Sequence, residues 1–239
     1  ELYPSENLCL SGGVALNCVA NGKILREGIF KNIYVQPASG DAGGAIGAAL
    51  YLYYCAMGNV LKKKIMPHAF LGTEYSNEEI KHFLDSEVPK LFGKAPNYIF
   101  LEEGELLKKT ASLIRENNVI GWFHGKMEFG PRALGARSII ADARQKDNWK
   151  KVNLKIKFRE SFRPFAPAVL AQDCEKYFGL KQESPYMLLV APVIREDIPA
   201  VTHVDGSARV QTVTEEDNGR FYKLMLEFKK QSGCSAIIN

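Results

Sequence analysis

The stretch Asn7-Leu-Cys-Leu-Ser-Gly-Gly-Val-Ala-Leu-Asn17 is a short apolar run that turns through a glycine pair into residues at helical spacing. The same order follows downstream: residues 33–35 form a second apolar run, Pro37 ends it, and residues 40–44 form a glycine-rich turn before a run of small residues. Strand, turn and helix in alternation are typical of an α/β layer. We therefore predict an α/β fold.

Apolar spacing and capping signals predict further elements along the chain. Ser76 and Glu79 form a capping box, which predicts the start of a helix. Apolar residues recur at helical spacing after Glu103. The predicted helices cover residues 77–86, 103–117 and 219–231, and the predicted strands cover residues 119–123, 187–194, 209–213 and 235–238.

A basic, proline-containing connector over about residues 59–70 indicates a domain boundary. We therefore predict two units, residues 1–66 and residues 67–239. The chain begins at Glu1 and stops at Asn239 in the middle of apolar patterns, from which we expect a piece of a longer protein.

Composition excludes several classes of protein. The chain has 239 residues and a net charge of only +4, which by itself does not favour nucleic-acid binding. Its five cysteines form no CxxC pair, so neither a zinc knuckle nor a disulfide framework is indicated. The longest apolar run, residues 42–57, is too short for a membrane span. We expect a cytoplasmic protein with reduced thiols and no membrane partner.

Both glycine turns stand where a strand meets a helix. Such a turn presents free backbone N–H groups at the positive end of the helix, where an anion can approach closely. We interpret residues 11–13 as a site for nucleotide phosphates and Asp41 as a cation ligand. Ordinary capping by glycine and aspartate explains the same residues and stays an alternative. The pattern of a P-loop is absent from the sequence.

The strongest charge asymmetry lies between Lys126 and Arg163, where eleven basic residues oppose four acidic ones. This segment contains Glu128-Phe-Gly-Pro-Arg-Ala-Leu-Gly-Ala-Arg-Ser138, in which Arg132 and Arg137 converge only if the chain curls. Residues 153–159 alternate between polar and apolar, which predicts a strand. Three basic side chains would share one face of that strand: Lys155, Lys157 and Arg159.

A cation cluster of this kind suits a reaction between two polyanions. Arginine forks bind phosphate oxygens in pairs, and lysines neutralise charge on a leaving group. Arg163, in a proline-stiffened segment, is expected to join the cluster. Nucleic acid is the rival ligand, but the run is short and structured rather than an extended basic tail, which argues against nucleic acid.

A second polar cluster is His203-Val-Asp205-Gly-Ser-Ala-Arg209. A histidine, an aspartate and an arginine at a strand end can bind phosphate or ribose. Turn capping by Asp205 is the alternative interpretation.

The glycine turns carry a resemblance to a known family. Ser11-Gly-Gly-Val-Ala-Leu-Asn17 and Pro37-Ala-Ser-Gly-Asp-Ala-Gly-Gly-Ala-Ile-Gly-Ala-Ala49 resemble the end of the metal- and ATP-binding domain of NodU-type and antibiotic-tailoring O-carbamoyltransferases. The resemblance implies an actin-like, or sugar-kinase-like, fold for residues 1–66. It also implies that the nucleotide is bound by Ser11, Gly12, Gly13 and Asn17.

The basic segment resembles the C-terminal domain of the same family. The similarity covers residues 121–142, residues 153–167, Ser184-Pro-Tyr-Met187 and residues 203–212. That domain is YrdC-like, an α/β fold with a twisted sheet around a basic cavity. We therefore expect residues 67–239 to form such a domain.

The resemblance also implies a reaction. The YrdC-like domain would form carbamoyl-adenylate from carbamoyl phosphate and ATP, and the actin-like domain would move the carbamoyl group to a hydroxyl of a small-molecule acceptor. The predicted catalytic residues are Arg132, Arg137, Lys155, Lys157, Arg159 and Arg163, and the predicted phosphate or ribose ligands are Ser138, His203, Asp205 and Arg209. A non-catalytic nucleotide- or RNA-binding module is the alternative function. A third hypothesis is that the chain by itself is inactive.

In the family, the acid that matches Asp41 binds iron or a similar divalent metal beside two histidines of an HxxxH helix. The four histidines of this chain, His68, His82, His124 and His203, do not have that spacing. Asp41 alone is a poor metal site. We expect a divalent metal in a full-length protein but no tightly bound metal in this chain. A measurement of the metal content of the purified chain would test this expectation.

Overall fold

A computed structural model describes residues 4–60, 66, 68–158, 160 and 163–239, with the backbone only of Lys151 and Lys155. It confirms the predicted α/β class, because helices pack on a mixed six-stranded sheet. None of the helices in this part of the chain has the length and apolar content that a membrane span requires.

The six-stranded sheet has the order β3-β4-β8-β5-β7-β6. Only β5 and β7 run parallel, and the other neighbours are antiparallel. The pairing places the end of β8 between β4 and β5, at the centre of the sheet. The strands are β3 (Ile120–Phe123), β4 (Arg137–Asp142), β5 (Pro167–Leu170), β6 (Leu189–Pro192), β7 (Ser207–Val213) and β8 (Ala236–Ile238).

Two helices, α5 (Glu103–Arg115) and α8 (Glu215–Ser232), pack against each other and on the sheet. Their apolar sides, which include Ile114 and Phe228, belong to the same core as Ile140 of β4 and are fully buried. Side chains alternate along a strand, so Ile139 and Ile140 point to opposite faces of the sheet. The opposite face of the sheet is therefore available for a site.

The N-terminal part forms a separate two-stranded parallel sheet of β1 (Asn7–Leu10) and β2 (Asn32–Val35). Each strand leads into a helix, α1 (Cys18–Arg26) and α2 (Asp41–Tyr51), as predicted. Because neighbouring parallel strands end at the same edge, the two glycine turns come together. A side-chain carbon at Gly40 would lie 3.7 Å from Leu16 Cδ1.

Hydrogen bonds join the N-terminal layer to edge strand β6 and to Leu188, which precedes it. The Asn21 amide donates to the carbonyls of Ala15 and Leu188, at 2.8 and 3.1 Å. Arg26 Nη1 donates to the Val190 carbonyl at 2.8 Å. The predicted boundary after residue 66 stays a prediction, and residues 61–65 and 67 lie outside the described chain.

The closest approach in this contact is at Gly22, where a Cβ atom would lie 2.2 Å from the Val190 oxygen. We expect Gly22→Ala to push α1 away from β6 and to lower the free energy of unfolding by about 1–3 kcal/mol, as overpacking does. Chemical denaturation measures the change.

Gly47→Ala is the matched control, because Gly47 is also a helical glycine but a Cβ there meets nothing within 4 Å. This substitution should be neutral or stabilising by about 0.5–1 kcal/mol. Equal effects of the two substitutions would contradict the close packing of α1 on β6.

The predicted strands at residues 119–123, 187–194, 209–213 and 235–238 and the three predicted helices are confirmed within a few residues. The capping box of Ser76 and Glu79 is present. Two strands escaped prediction, β4 and β5. The remaining α-helices of the described chain are α3 (Asn77–His82), α4 (Val88–Phe92), α6 (Asn148–Lys155) and α7 (Cys174–Phe178).

The predicted strand over residues 153–159 is wrong. Helix α6 extends to Lys155, because Val152 and Asn153 are fully buried while Leu154 is exposed, a helical rather than an alternating pattern. Lys155 and Lys157 therefore do not share a strand face. Arg159 lies outside the described residues.

Candidate functional site

A basic cavity of about 530 Å³ lies on the face of the sheet opposite to α5 and α8. Its volume is within the usual range for small-molecule sites. Four of the six predicted catalytic residues and one predicted ligand of phosphate or ribose line it. These five cations are Arg132, Arg137, Lys157, Arg163 and Arg209.

The loop before β4 is organised by the buried carboxylate of Glu128. Its Oε1 atom accepts the backbone N–H groups of Leu134, Ala136 and Arg137, at 2.7, 2.8 and 3.2 Å. One carboxylate oxygen thus curls the chain around itself. This curl brings Arg132 and Arg137 to the same cavity.

The loop is anchored to the sheet at its glycine. Gly135 has φ of 102°, and a Cβ atom there would lie 2.4 Å from the Phe221 ring. Only glycine combines this conformation with so close a contact. Trp122 Nε1 donates to the Gly135 carbonyl at 3.0 Å, and the Gly135 N–H donates to Ser138 Oγ at 2.9 Å.

Ser138 supports the loop. Its buried hydroxyl accepts the Gly135 N–H, and the residue is absent from the described cavity lining. Phosphate binding by Ser138 stays a prediction.

Arg137 lines the cavity, but the Nη atoms of its guanidinium already donate to backbone carbonyls. Nη1 donates to the carbonyls of His124 and Ala136, and Nη2 donates to those of Thr73 and Gly125, at 2.8–3.1 Å. Its Cζ lies 3.6 Å from the centroid of the Phe123 ring. Arg137 therefore contributes positive charge and holds the loop, but it has no free fork for a phosphate.

Arg132 and Arg163 are the better candidates for anion binding. Arg132 Nε is buried and has no hydrogen-bond partner among the described residues. Arg163 pairs with Glu160 at 2.8 Å, but both side chains are about half exposed, so a ligand can displace this weak pair. The buried Asn153 amide donates to the Arg163 carbonyl at 2.8 Å and fixes the start of this segment.

A second cavity of about 220 Å³ adjoins the first through Arg209 and contains His203 and Asp205. Asp205 Oδ1 lies 2.6 Å from Ser207 Oγ and 3.0 Å from His203 Nδ1. Hydrogen bonds from the Ser207 hydroxyl, then His203, then the Ser207 N–H lower the pKa of Asp205 to about 2. Its ionised carboxylate would repel a phosphate but can accept hydrogen bonds from ribose hydroxyls, so ligand binding by His203 and Asp205 stays a prediction beside turn capping.

The residues of the N-terminal glycine turns do not themselves line either cavity in the described chain, although Cys18 and Val19, which follow Asn17, line the second one. Ser11, Gly12 and Gly13 are exposed, and Gly12 adopts φ of 93° before a short 3₁₀ turn, Gly13–Leu16. Asn17 caps α1, accepting the Ala20 N–H at 3.1 Å. Nucleotide binding by these residues stays a prediction.

Asp41 does not fit a metal site by itself. It is an exposed residue in the first turn of α2. Within the part of the chain that the structure describes, no group of three histidine, cysteine or acidic side chains is placed to bind a metal ion. A single carboxylate is too small a donor set for iron.

Three further candidate residues of the site were not predicted from the sequence. Glu128 was counted only as a charge opposing the basic run, and Gln211 and Asn239 carry no local motif. Gln211 Nε2 donates to the Leu134 carbonyl at 2.9 Å, across the sheet. The alternation of Arg209 and Gln211 along β7 is the one signal that could have indicated the face they share.

Comparisons with known proteins agree with the quoted motifs. A family model described as carbamoyltransferase C-terminus matches residues 111–239, more than half of the chain, and one described as carbamoyltransferase N-terminus matches residues 1–50.

Curated relatives are similar along the whole chain. An uncharacterized protein of Synechocystis is 48% identical over 98% of this chain and 42% of its own length. Nodulation protein NolNO of Sinorhizobium fredii is 39% identical over 100% of this chain and 35% of its own. The 3'-hydroxymethylcephem-O-carbamoyltransferase of Streptomyces clavuligerus is 34% identical over 100% of this chain and 43% of its own length. The chain thus spans less than half the length of these relatives, and by the match of its C-terminal half it belongs to the carbamoyltransferase family.

Proposed function

We propose that the basic cavity binds carbamoyl phosphate together with the phosphates of ATP and forms carbamoyl-adenylate. The observation that carries this proposal is the convergence of five cations on one cavity, lined on the described chain by no carboxylate side chain. Two polyanions repel each other in water, and a cavity of this charge removes that repulsion.

The stoichiometry requires water as well as the two substrates. An oxygen of carbamate must become bonded to the α-phosphorus of ATP, and pyrophosphate leaves. The carbamoyl group loses its original phosphate, so one water is consumed and one inorganic phosphate is released. Positioning of the reacting groups can contribute on the order of 7–11 kcal/mol in favourable cases.

We assign the residues of the cavity distinct parts in this step. Arg132 and Arg163 have the freedom to bind phosphate oxygens, and Lys157 is an exposed cation at the rim. Arg137 maintains the loop through its carbonyl contacts. Lys155 and Arg159 stay predictions from the sequence.

The second half of the proposed activity is transfer of the carbamoyl group to a hydroxyl of a small molecule. This transfer would take place in a longer protein, of the length of the relatives. Ser11–Gly13 and Asn17 would bind the nucleotide there, and residues outside this chain would supply the further ligands of a divalent metal. The named relative from Streptomyces clavuligerus supports such an acceptor. We place the protein in the cytoplasm, in keeping with five free cysteines.

Calorimetry with ATP and with carbamoyl phosphate on this chain tests the first half. We expect both ligands to bind and each to bind less tightly as salt concentration rises, because the contacts are between opposite charges. Pyrophosphate exchange into ATP that depends on carbamoyl phosphate is the expected activity. Binding of RNA with no exchange would instead support a non-catalytic module.

A further inference from the structure

The second cavity contains a histidine that has the environment of a general base. His203 and Asp205 line this cavity of about 220 Å³. It shares a wall of four described residues with the basic cavity: Pro164, Phe165, Ala166 and Arg209. A small group attached to a phosphate in the basic cavity therefore has space on the side of Arg209 where His203 lies.

A tight turn holds the histidine and the carboxylate together. The His203 N–H donates to the Ser207 carbonyl at 2.8 Å, and the Gly206 N–H donates to the His203 carbonyl at 2.9 Å. Asp205 Oδ1 accepts the Ser207 N–H at 3.0 Å and the Ser207 hydroxyl at 2.6 Å. The same oxygen lies 3.0 Å from His203 Nδ1. Capping of the turn by Asp205 therefore also fixes the oxygen that contacts the ring.

The hydrogen bond to Asp205 decides which ring nitrogen of His203 is basic. With a pKa of about 2, the Asp205 carboxylate is ionised near neutral pH and only accepts hydrogen bonds. Nδ1 therefore carries the proton, and in the neutral ring Nε2 keeps its lone pair. The side chain is 40% exposed. Its only hydrogen bond to a described residue is through Nδ1, and Nε2 is not shielded from solvent.

The proposed reaction needs a base in this region. One water is consumed for each carbamoyl phosphate, and it loses a proton as it attacks. The five cations of the basic cavity bind anions in their protonated form. Among the described residues that line the two cavities, His203 is the only imidazole and Asp205 the only carboxylate. A carboxylate with a pKa of about 2 is a weak base, which leaves His203.

We propose that His203 is the catalytic base that activates water against carbamoyl phosphate, and that Asp205 is its positioning residue. This inference rests on the proposed function. Nε2 takes a proton from water while the water oxygen bonds to the carbonyl carbon. The bond from that carbon to the bridging oxygen breaks, and phosphate departs with the proton of the imidazolium. Carbamic acid remains and, once ionised, attacks the α-phosphorus of ATP.

Release of phosphate from carbamoyl phosphate by the whole chain measures this step. General bases contribute roughly 100- to 10,000-fold to a rate, so we expect His203→Gln to slow phosphate release by at least about 100-fold. His82→Gln is the matched control, because His82 is an exposed residue of α3 that lines neither cavity. This control should change the rate by less than about twofold.

Carbamate supplied directly separates a catalytic role from a structural one. Carbamate needs no water to form carbamoyl-adenylate, so His203→Gln should retain carbamate-dependent pyrophosphate exchange at close to the wild-type rate. Exchange that depends on carbamoyl phosphate should fall with phosphate release. A variant that had lost its anion site would lose both exchanges.

Asp205→Asn tests the orientation of the ring. Its amide NH₂ can donate to Nδ1, which moves the ring proton to Nε2 and removes the lone pair. We expect phosphate release to slow by roughly tenfold or more while carbamate-dependent exchange is retained. If melting temperatures show that His203→Gln does not fold, this variant decides the question.

The outcomes separate this inference from the proposed function. In water labelled with heavy oxygen, the released phosphate should stay unlabelled, because the carbonyl carbon takes up the water oxygen. Labelled phosphate, unchanged phosphate release in the folded variants, or no use of carbamate by them or by the wild type overturns the role of His203 and leaves anion binding intact. A wild-type protein with neither phosphate release nor exchange from carbamoyl phosphate overturns the proposed function and this inference together.

Discussion

Glu128→Ala is expected to lower the free energy of unfolding by roughly 3–5 kcal/mol. The substitution removes one oxygen that accepts three backbone N–H groups, of which those of Leu134 and Ala136 are buried. Each buried N–H left without a partner costs about 1–3 kcal/mol. Chemical denaturation measures the loss, and hydrogen exchange should show faster exchange at residues 134–137.

Glu128→Gln is the matched control for the shape of the side chain. Its amide oxygen can still accept the three N–H groups, but the bonds are no longer charge-assisted and are about half as strong. We expect a loss of about 1–2 kcal/mol. A loss below about 1 kcal/mol in Glu128→Ala would show that the carboxylate does not organise the loop.

Arg132→Ala is expected to weaken binding of carbamoyl phosphate by about 100-fold or more and to abolish pyrophosphate exchange. The guanidinium can make two charge-assisted hydrogen bonds to a phosphate, each contributing about 1.5–3 kcal/mol. The buried Nε atom without a partner among the described residues is the structural reason for choosing this arginine. Calorimetry and the exchange assay measure both effects.

Two controls separate a specific contact from a general loss of charge. Lys146→Ala removes one exposed positive charge of the same segment that does not line the cavity. We expect a change in affinity of less than about threefold at moderate salt. Arg132→Lys keeps the charge and loses the fork, so its affinity should be intermediate. Equal affinities of Arg132→Ala and the wild type would exclude Arg132 from the site.

The N-terminal layer and the helices could be predicted from the sequence because their signals are local. The glycine turns, the capping box of Ser76 and the apolar spacing along α5 and α8 each lie within a few residues of one another. The α/β class and the family motifs follow from the same short stretches. The set of cations was also predictable, because charge density along the chain does not depend on how the chain folds.

The strand predicted over residues 153–159 failed for a physical reason. Alternation of polar and apolar residues in a short segment fits both a strand and the end of a helix. Val152 and Asn153 are neighbours and are both buried, which a helix allows. Strand β4 was missed because its sequence was read as part of a basic turn. Its partner strands, β3 and β8, lie on opposite sides of it, and β8 follows it by about 100 residues in the sequence.

The sequence by itself determined that arginines and lysines are concentrated between Lys126 and Arg163, and which family the motifs resemble. Only the tertiary structure decided what each does: Arg137 donates to four carbonyls, Ser138 supports the loop, and Arg132 keeps a buried donor. The hydrogen bonds from Asn239 to Gln211 and from Gln211 to Leu134 join residues that only the pairing of the strands brings together. Hydrogen bonds between residues distant in sequence assign these roles, and no local pattern records them.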